Sequence, residues 1–312
     1  MINTITLNPA LDHILYLDIL ERNITNRLSG LATTMGGKGT HVSMNLAIMG
    51  CASRAYGFSF GKNGRKIIAM LEESGVTSRF VQDDGYGESR DNYLIVEERT
   101  KDATLIASKG PSPTPDHLAR LYAMMESDIQ SGDRLVLSGD TSNFPDPMIY
   151  NRIAERLTNR SPRIFLDASG PTLERALALN PFLIKPNLHE LSVLLGRTLV
   201  SEVDLVKAIE EMDRRWHIEA IVISLGGDGA AARIGDALYR VRAPRVDAYN
   251  TVGCGDCMLA GLLHGFERNL PVEALLRYAT GCSAATAESP LSVGFDPDRA
   301  QALTEQTDVV RM

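Results

Sequence analysis

The chain has 312 residues, 44% of them hydrophobic and 23% charged, with a formal net charge of -7. That is the composition of an ordinary globular protein able to bury a large core, and its acidic balance argues against a nucleic-acid partner. The first residues lack the basic and continuous apolar regions of a secretory leader, and no run nears the roughly 20 apolar residues that span a bilayer, so a cytoplasmic protein with no membrane partner is expected.

In chain order, short β-rich runs alternate with longer amphipathic ones. "NTITLN" comes first, then "RLVLSG", "RIFLDAS", "FLIKPN" and "AIVISLGG", each followed by helical periodicity. Alternation of this kind predicts a parallel sheet covered by helices, with ligands collecting at the carboxyl ends of the strands. Those ends hold Asn8, Ser138 with Gly139, Asp167, Lys185 with Asn187, and Gly226 to Gly229. Two stretches, about 12–34 and 88–107, break the pattern. "HILYLD", "NYLIVEE" and "ATLIAS" read as strands without intervening helices, and we expect them to pair as a small antiparallel sheet forming a lid within a single domain, 1–312. "KGPSPTP" reads as a loop before a helix near Asp116.

Two glycine clusters open helices. In "MGGKGTHVSMNLA", Val42, Leu46 and Met49 share one face, so Gly37 and Lys38 lie at a helix start. Lys38 is followed by Gly39 where a Walker A loop needs Ser or Thr, and the glycine five residues earlier is missing, so this is not a P-loop. In "NTVGCGDCMLAG", Met258, Leu259, Leu262, Leu263 and Phe266 line one face, placing Gly253 and Gly255 at a helix N-terminus. Free N-H groups and the helix dipole make such a turn a site for phosphate oxygens. Asp256 in that turn is either a dipole partner or a catalytic acid-base group.

Cys254 and Cys257 have Cys-x-x-C spacing, which allows a redox role. A zinc site needs two more ligands, and Cys51 and Cys282 are isolated, so packing thiols are the plainer reading.

Taken together, "TLNPALD", "GGKG", "FLIKPNLHEL", "VISLGGDGA" and "NTVGCGDCMLAG" resemble, in order and spacing, the PfkB or ribokinase-like family of sugar kinases over almost the whole chain. The likeness is nearest to the branch of 1-phosphofructokinase and tagatose-6-phosphate kinase. It implies a ribokinase-like three-layer α/β/α sandwich with a small β-sheet lid through which a homodimer forms, ATP as cosubstrate and Mg2+ as metal. It further implies phosphoryl transfer to a phosphosugar, first of all fructose 1-phosphate to give fructose 1,6-bisphosphate, with tagatose 6-phosphate second and an unphosphorylated sugar or nucleoside as the rival acceptor.

By position, the resemblance makes Asp256 the base, with the N-H groups of Gly253, Cys254 and Gly255 holding the transferring phosphoryl group. Asn187 and Glu190 match the family's magnesium-associated Asn-x-x-Glu. Lys185, Asn187, Ser224, Gly226, Gly227, Gly229 and Thr251 fall on the nucleotide side. Asp12, Gly37, Lys38, His41, Asn45, Ser138 and Asp140 fall on the sugar side, with Arg27 and Arg90 as lid residues gripping the substrate's phosphate. The chain departs from the family where His41 replaces asparagine and "SGDTSNFPD" replaces "SGSLPPG". Its turn reads Gly-Cys-Gly-Asp-Cys in place of Gly-Ala-Gly-Asp-Ser.

Overall fold

Strands that are apolar at successive positions can bury both faces only between two layers of helices. The computed structural model, which describes residues 1–139 and 141–312, has that arrangement. The chain runs through β1 (Ile2–Thr6), β2 (Ala10–Leu17), β3 (Gly30–Gly36), α1 (Lys38–Ile48), β4 (Ser53–Phe60), α2 (Gly61–Glu73) and β5 (Thr77–Asp83). Next come β6 (Arg90–Glu97), β7 (Ala103–Ala107), α3 (Pro115–Asp128), β8 (Arg134–Ser138), α4 (Ile149–Arg156), β9 (Arg163–Asp167), α5 (Gly170–Ala176) and β10 (Leu183–Ile184). The last part is α6 (Leu188–Leu195), α7 (Glu202–Trp216), β11 (Ala220–Ser224), β12 (Ala230–Ile234), β13 (Ala237–Arg242), α8 (Cys254–Glu267), α9 (Val272–Ala287), α10 (Pro297–Gln306) and β14 (Asp308–Arg311).

Ten strands form one sheet in the order β14-β13-β12-β11-β10-β9-β8-β1-β4-β5. From β5 to β11 every neighbouring pair is parallel, whereas β11 to β14 pair antiparallel, so one edge departs from the purely parallel expectation. The departure is local chemistry: Gly235 at positive φ turns β12 tightly into β13, leaving no room for a crossover helix.

Side chains alternate between the two helical layers. Leu135, Leu137, Leu166, Ile184, Ile221 and Ile223 pack with α3 to α7, while Val136, Phe165, Leu183 and Val222 pack with α1, α8 and α9. This is the strand period of two written into both cores, and it makes the three layers. No helix among the described residues is long and apolar enough to cross a membrane.

The second sheet has the order β3-β2-β6-β7. It is mixed and not antiparallel throughout: β2 pairs antiparallel with β3, and β6 with β7, but β2 and β6 run parallel from Ala10 opposite Arg90 to Leu17 opposite Glu97. Two hairpins distant in sequence join here, and both hairpins enter from the same end of the main sheet. The inner face packs Ile14, Leu94 and Val96 against Val252, just before the α8 turn, and the outer face exposes Leu31, Tyr93 and Ile106.

Candidate active site

The loops after β1, β8, β9, β10 and β11 open toward the starts of α1 and α8, as expected for ligand sites in parallel sheets. Two cavities lie there. The larger, about 580 Å³, is lined by Lys38, Lys185, Asn187, Glu190, Ser224, Gly226, Gly227, Gly229, Thr251, Cys254 and Gly255, together with Arg245, Thr280 and Ser283. The smaller, about 440 Å³, has Asp12, Gly37, Lys38, His41, Arg90, Asn92, Ser138, Gly253, Gly255 and Asp256 in its wall. Lys38 and Gly255 line both cavities, so the two meet at the first turns of α1 and α8.

The start of α8 is built around Gly253. This residue is the N-cap, with φ of 81°, and no side chain caps the turn. A Cβ at Gly253 would lie 1.8 Å from the Ser292 carbonyl oxygen, so only glycine fits. First-turn N-H groups have no acceptor within their own helix; that of Cys254 makes a long contact of 3.4 Å to the Thr251 carbonyl, and the turn faces outward at the helix's positive end. At Gly255 a Cβ would come 3.2 Å from Lys185 Nζ, which leaves the backbone bare where the lysine approaches.

Asp256 sits in the same turn and is buried. Its Oδ2 is 2.8 Å from His41 Nδ1, and His41 Nε2 donates to the Met35 carbonyl at 2.9 Å. Burial alone would push the His41 pKa down; the Asp256 hydrogen bond and the fields of Asp256 and Asp12 more than offset this and hold it above 6.5. Asp12 is buried too, with Oδ1 accepting from Asn92 Nδ2 at 2.8 Å and Oδ2 from Ser292 Oγ at 3.2 Å.

Asp167, at the end of β9, is buried and lines neither cavity, but it holds two lysines that do. Lys38 Nζ is 2.7 Å from its Oδ1 and Lys185 Nζ is 3.1 Å from its Oδ2. Burial works against its charge, but Lys185 and Lys38 hold the carboxyl below the ordinary range. Lys38 in turn keeps its proton well past the usual lysine range: Asp167, Asp256 and Glu190 outweigh its own desolvation. The sequence marks Asp167 only as a charged residue ending an apolar strand, with nothing to show that it ties two lysines together.

Asn187 and Glu190 form a reciprocal capping box at the start of α6. Glu190 N donates to Asn187 Oδ1 at 2.8 Å, and Asn187 N donates to Glu190 Oε2 at 2.9 Å. Glu190 Oε1 stays on the larger cavity's side, 4.0 Å from Lys38 Nζ.

Other expected residues fall elsewhere. Asn45 is fully buried on α1, where its Oδ1 accepts from Gly294 N, and lines neither cavity. Arg27 is exposed in the segment between β2 and β3 and lines neither cavity, so of the three expected cations only Lys38 and Arg90 share the smaller one. Asp140 lies outside the described residues. The four cysteines are free. Burial and Asp256 push the Cys254 thiol up to about 12, and burial raises Cys257 as well, the reverse of what a reactive thiolate needs.

A family described as pfkB family carbohydrate kinase matches residues 5–298. The chain is 33% identical over 289 residues to 1-phosphofructokinase of Bacillus subtilis strain 168, with 93% of each chain covered. Phosphofructokinase-2 from Escherichia coli superposes with a TM-score of 0.88 in its complex with potassium and 0.87 in its complex with fructose-6-phosphate. In both cases the identity is 25% and 98% of each chain is covered.

Proposed function

Because the chain belongs to the pfkB family of carbohydrate kinases, we propose that this ATP-dependent sugar kinase phosphorylates a ketohexose that already carries one phosphate, fructose 1-phosphate before tagatose 6-phosphate. One observation carries this reading: two cavities of ligand size meet at an uncapped, glycine-led helix start whose first turn holds a buried carboxylate.

On this reading ATP occupies the larger cavity and the sugar the smaller, so that the phosphoryl group crosses between them at the α8 turn. Asp256 takes the proton from the attacking hydroxyl, and the turn's N-H groups with Lys38 and Lys185 meet the charge that spreads over the phosphoryl oxygens. Asp12 accepts a hydrogen bond from a sugar hydroxyl. Arg90, whose Nε donates to the Asn8 carbonyl at 3.0 Å, aims its guanidinium near the substrate's phosphate.

Mg2+ takes oxygen ligands and is commonly held by one or two carboxylates together with nucleotide phosphates. Glu190 suits this, since Oε2 is fixed by the helix start and Oε1 remains on the cavity side. Asn187 has its oxygen engaged in the box, which suits it to orient Glu190. When bound, the metal would neutralise phosphate charge. Leu31, Tyr93 and Ile106 on the outer face of the small sheet favour a homodimer formed through that sheet. Free thiols and the need for ATP favour the cytoplasm.

The test is an ATP-consumption screen over fructose 1-phosphate, tagatose 6-phosphate, fructose 6-phosphate, free sugars and nucleosides. A phosphoketohexose should be the best substrate, and Arg90→Ala should lower its kcat/KM roughly tenfold to a hundredfold, the worth of a charge-assisted hydrogen bond to phosphate. If free sugars or nucleosides lead and Arg90→Ala leaves them untouched, the phosphosugar assignment fails.

A further inference from the structure

We infer that His41 is a positioning residue for phosphoryl transfer: as an imidazolium clamped between the Met35 carbonyl and the Asp256 carboxylate, it fixes the base and keeps it ionised. The inference rests on the reading of Asp256 as the base.

A carbonyl oxygen can only accept, so the 2.9 Å contact between His41 Nε2 and Met35 O requires a hydrogen on Nε2. Nδ1 then faces Asp256 Oδ2 at 2.8 Å, and this contact needs one proton. It is either an imidazolium donating to a carboxylate or a neutral ring accepting from a carboxylic acid. The second arrangement would leave Asp256 unable to take a proton.

The surrounding charges choose between them. From β2, Asp12 Oδ2 lies 3.8 Å from Nε2; from α8 comes Asp256 itself; β3 offers only the Met35 carbonyl. Lys38, one turn earlier on α1, is engaged by Asp167. Two buried carboxylates thus flank one ring, and a positive ring answers both. The pKa of His41 is raised, so this charge stabilises the fold fully below about pH 6.5 and the contribution fades as pH rises through the higher folded value. Asparagine at this position could bridge the same atoms but could not carry the charge.

In the reaction, the sugar O-H bond breaks as its oxygen bonds to phosphorus and the bond to ADP breaks. The proton goes to the Asp256 carboxylate, and His41 keeps both of its hydrogens throughout. At alkaline pH the ring loses its Nδ1 hydrogen, two acceptors face each other at hydrogen-bond distance, and the carboxylate loses its anchor. Turnover should therefore fall on the alkaline side with the titration of His41.

Nitrogen NMR of histidine-labelled protein without substrates reads the ring directly. Both His41 nitrogens should be protonated at neutral pH, and Asp256→Asn should lower the ring's titration by at least about one pH unit. In kinetics, His41→Asn should lower kcat roughly tenfold, change both KM values little, and remove the alkaline limb that coincides with the NMR titration. A neutral ring at pH 7, or an alkaline limb unchanged in His41→Asn, overturns the inference. Should that variant fail to fold, the NMR titration of the parent protein decides alone. If Asp256→Asn keeps most of its turnover while the ring still titrates high, it is the assignment of the base that fails.

Discussion

Two helix starts line the larger cavity and solve the same problem in opposite ways. At α6, Asn187 and Glu190 satisfy each other's backbone N-H groups and close the turn on itself. At α8, Gly253 offers no side chain, and the turn stays open toward the space where the cavities meet. A closed turn presents only what its side chains have left over, here one carboxylate oxygen suited to a cation. An open turn presents N-H groups suited to an anion. Two adjacent termini of identical backbone chemistry thereby acquire opposite preferences.

The largest expected effect tests the open terminus. Asp256→Asn should lower kcat by about 10² to 10⁴ while calorimetry finds ATP and sugar binding nearly unchanged, because the amide cannot take the hydroxyl proton. Retention of most turnover would remove Asp256 from the base role. Gly253→Ala comes next, combining a left-handed backbone with a clash on the Ser292 carbonyl. It should destabilise the protein by about 2 kcal/mol or more in denaturant unfolding and depress kcat as the turn shifts. A variant as stable and active as the parent would show that the turn does not depend on glycine.

The closed terminus predicts smaller changes, and of two kinds. Asn187→Ala removes a cap and should lower stability by about 1 kcal/mol. Glu190→Gln keeps an acceptor for the Asn187 N-H and should leave stability nearly intact while raising the magnesium concentration needed for half-maximal activity. Equal stability losses in the two variants would mean that Glu190 serves α6 alone. The smallest effect belongs to the thiols. Cys254→Ala with Cys257→Ser should hold kcat within about twofold, since the turn acts through its backbone. Stoichiometric zinc in the parent protein, or inactivation reversed by reductant, would restore the Cys-x-x-C reading.

Local features were legible in the chain and long-range ones were not. The apolar runs ending in polar turns identify β1, β8, β9, β10 and β11, and the glycines of both clusters fall at helix starts as their flanking periodicity implies. β2 and β6 could be read as strands but not as parallel partners, because Ala10 meets Arg90 through a fold-level arrangement that no local pattern encodes. His41 and Asp256 are 215 residues apart, and nothing near either one announces the other. Asn45 illustrates the opposite trap. It lies in the helix that opens beside the smaller cavity, yet its position turns it toward Gly294. The capping box could have been found, since Asn-x-x-Glu before an apolar run is its sequence signature. That signature and a magnesium motif share the same four positions, and spacing alone does not separate them.

The pinning of Lys38 and Lys185 by Asp167 bears on how the kinase behaves among the small ions of a cell. Two unpartnered lysines beside an open helix start would form a general trap for inorganic phosphate or sulfate. Here each lysine already has a carboxylate oxygen within about an ion-pair distance, at 2.7 and 3.1 Å. A stray anion must compete with that buried partner before it gains either lysine. On the proposed reading, a phosphoryl group delivered by a nucleotide in one cavity toward a sugar in the other would arrive already positioned from both sides. Asp167 would thus act as a tethered competitor, raising the threshold for occupancy by unattached ions.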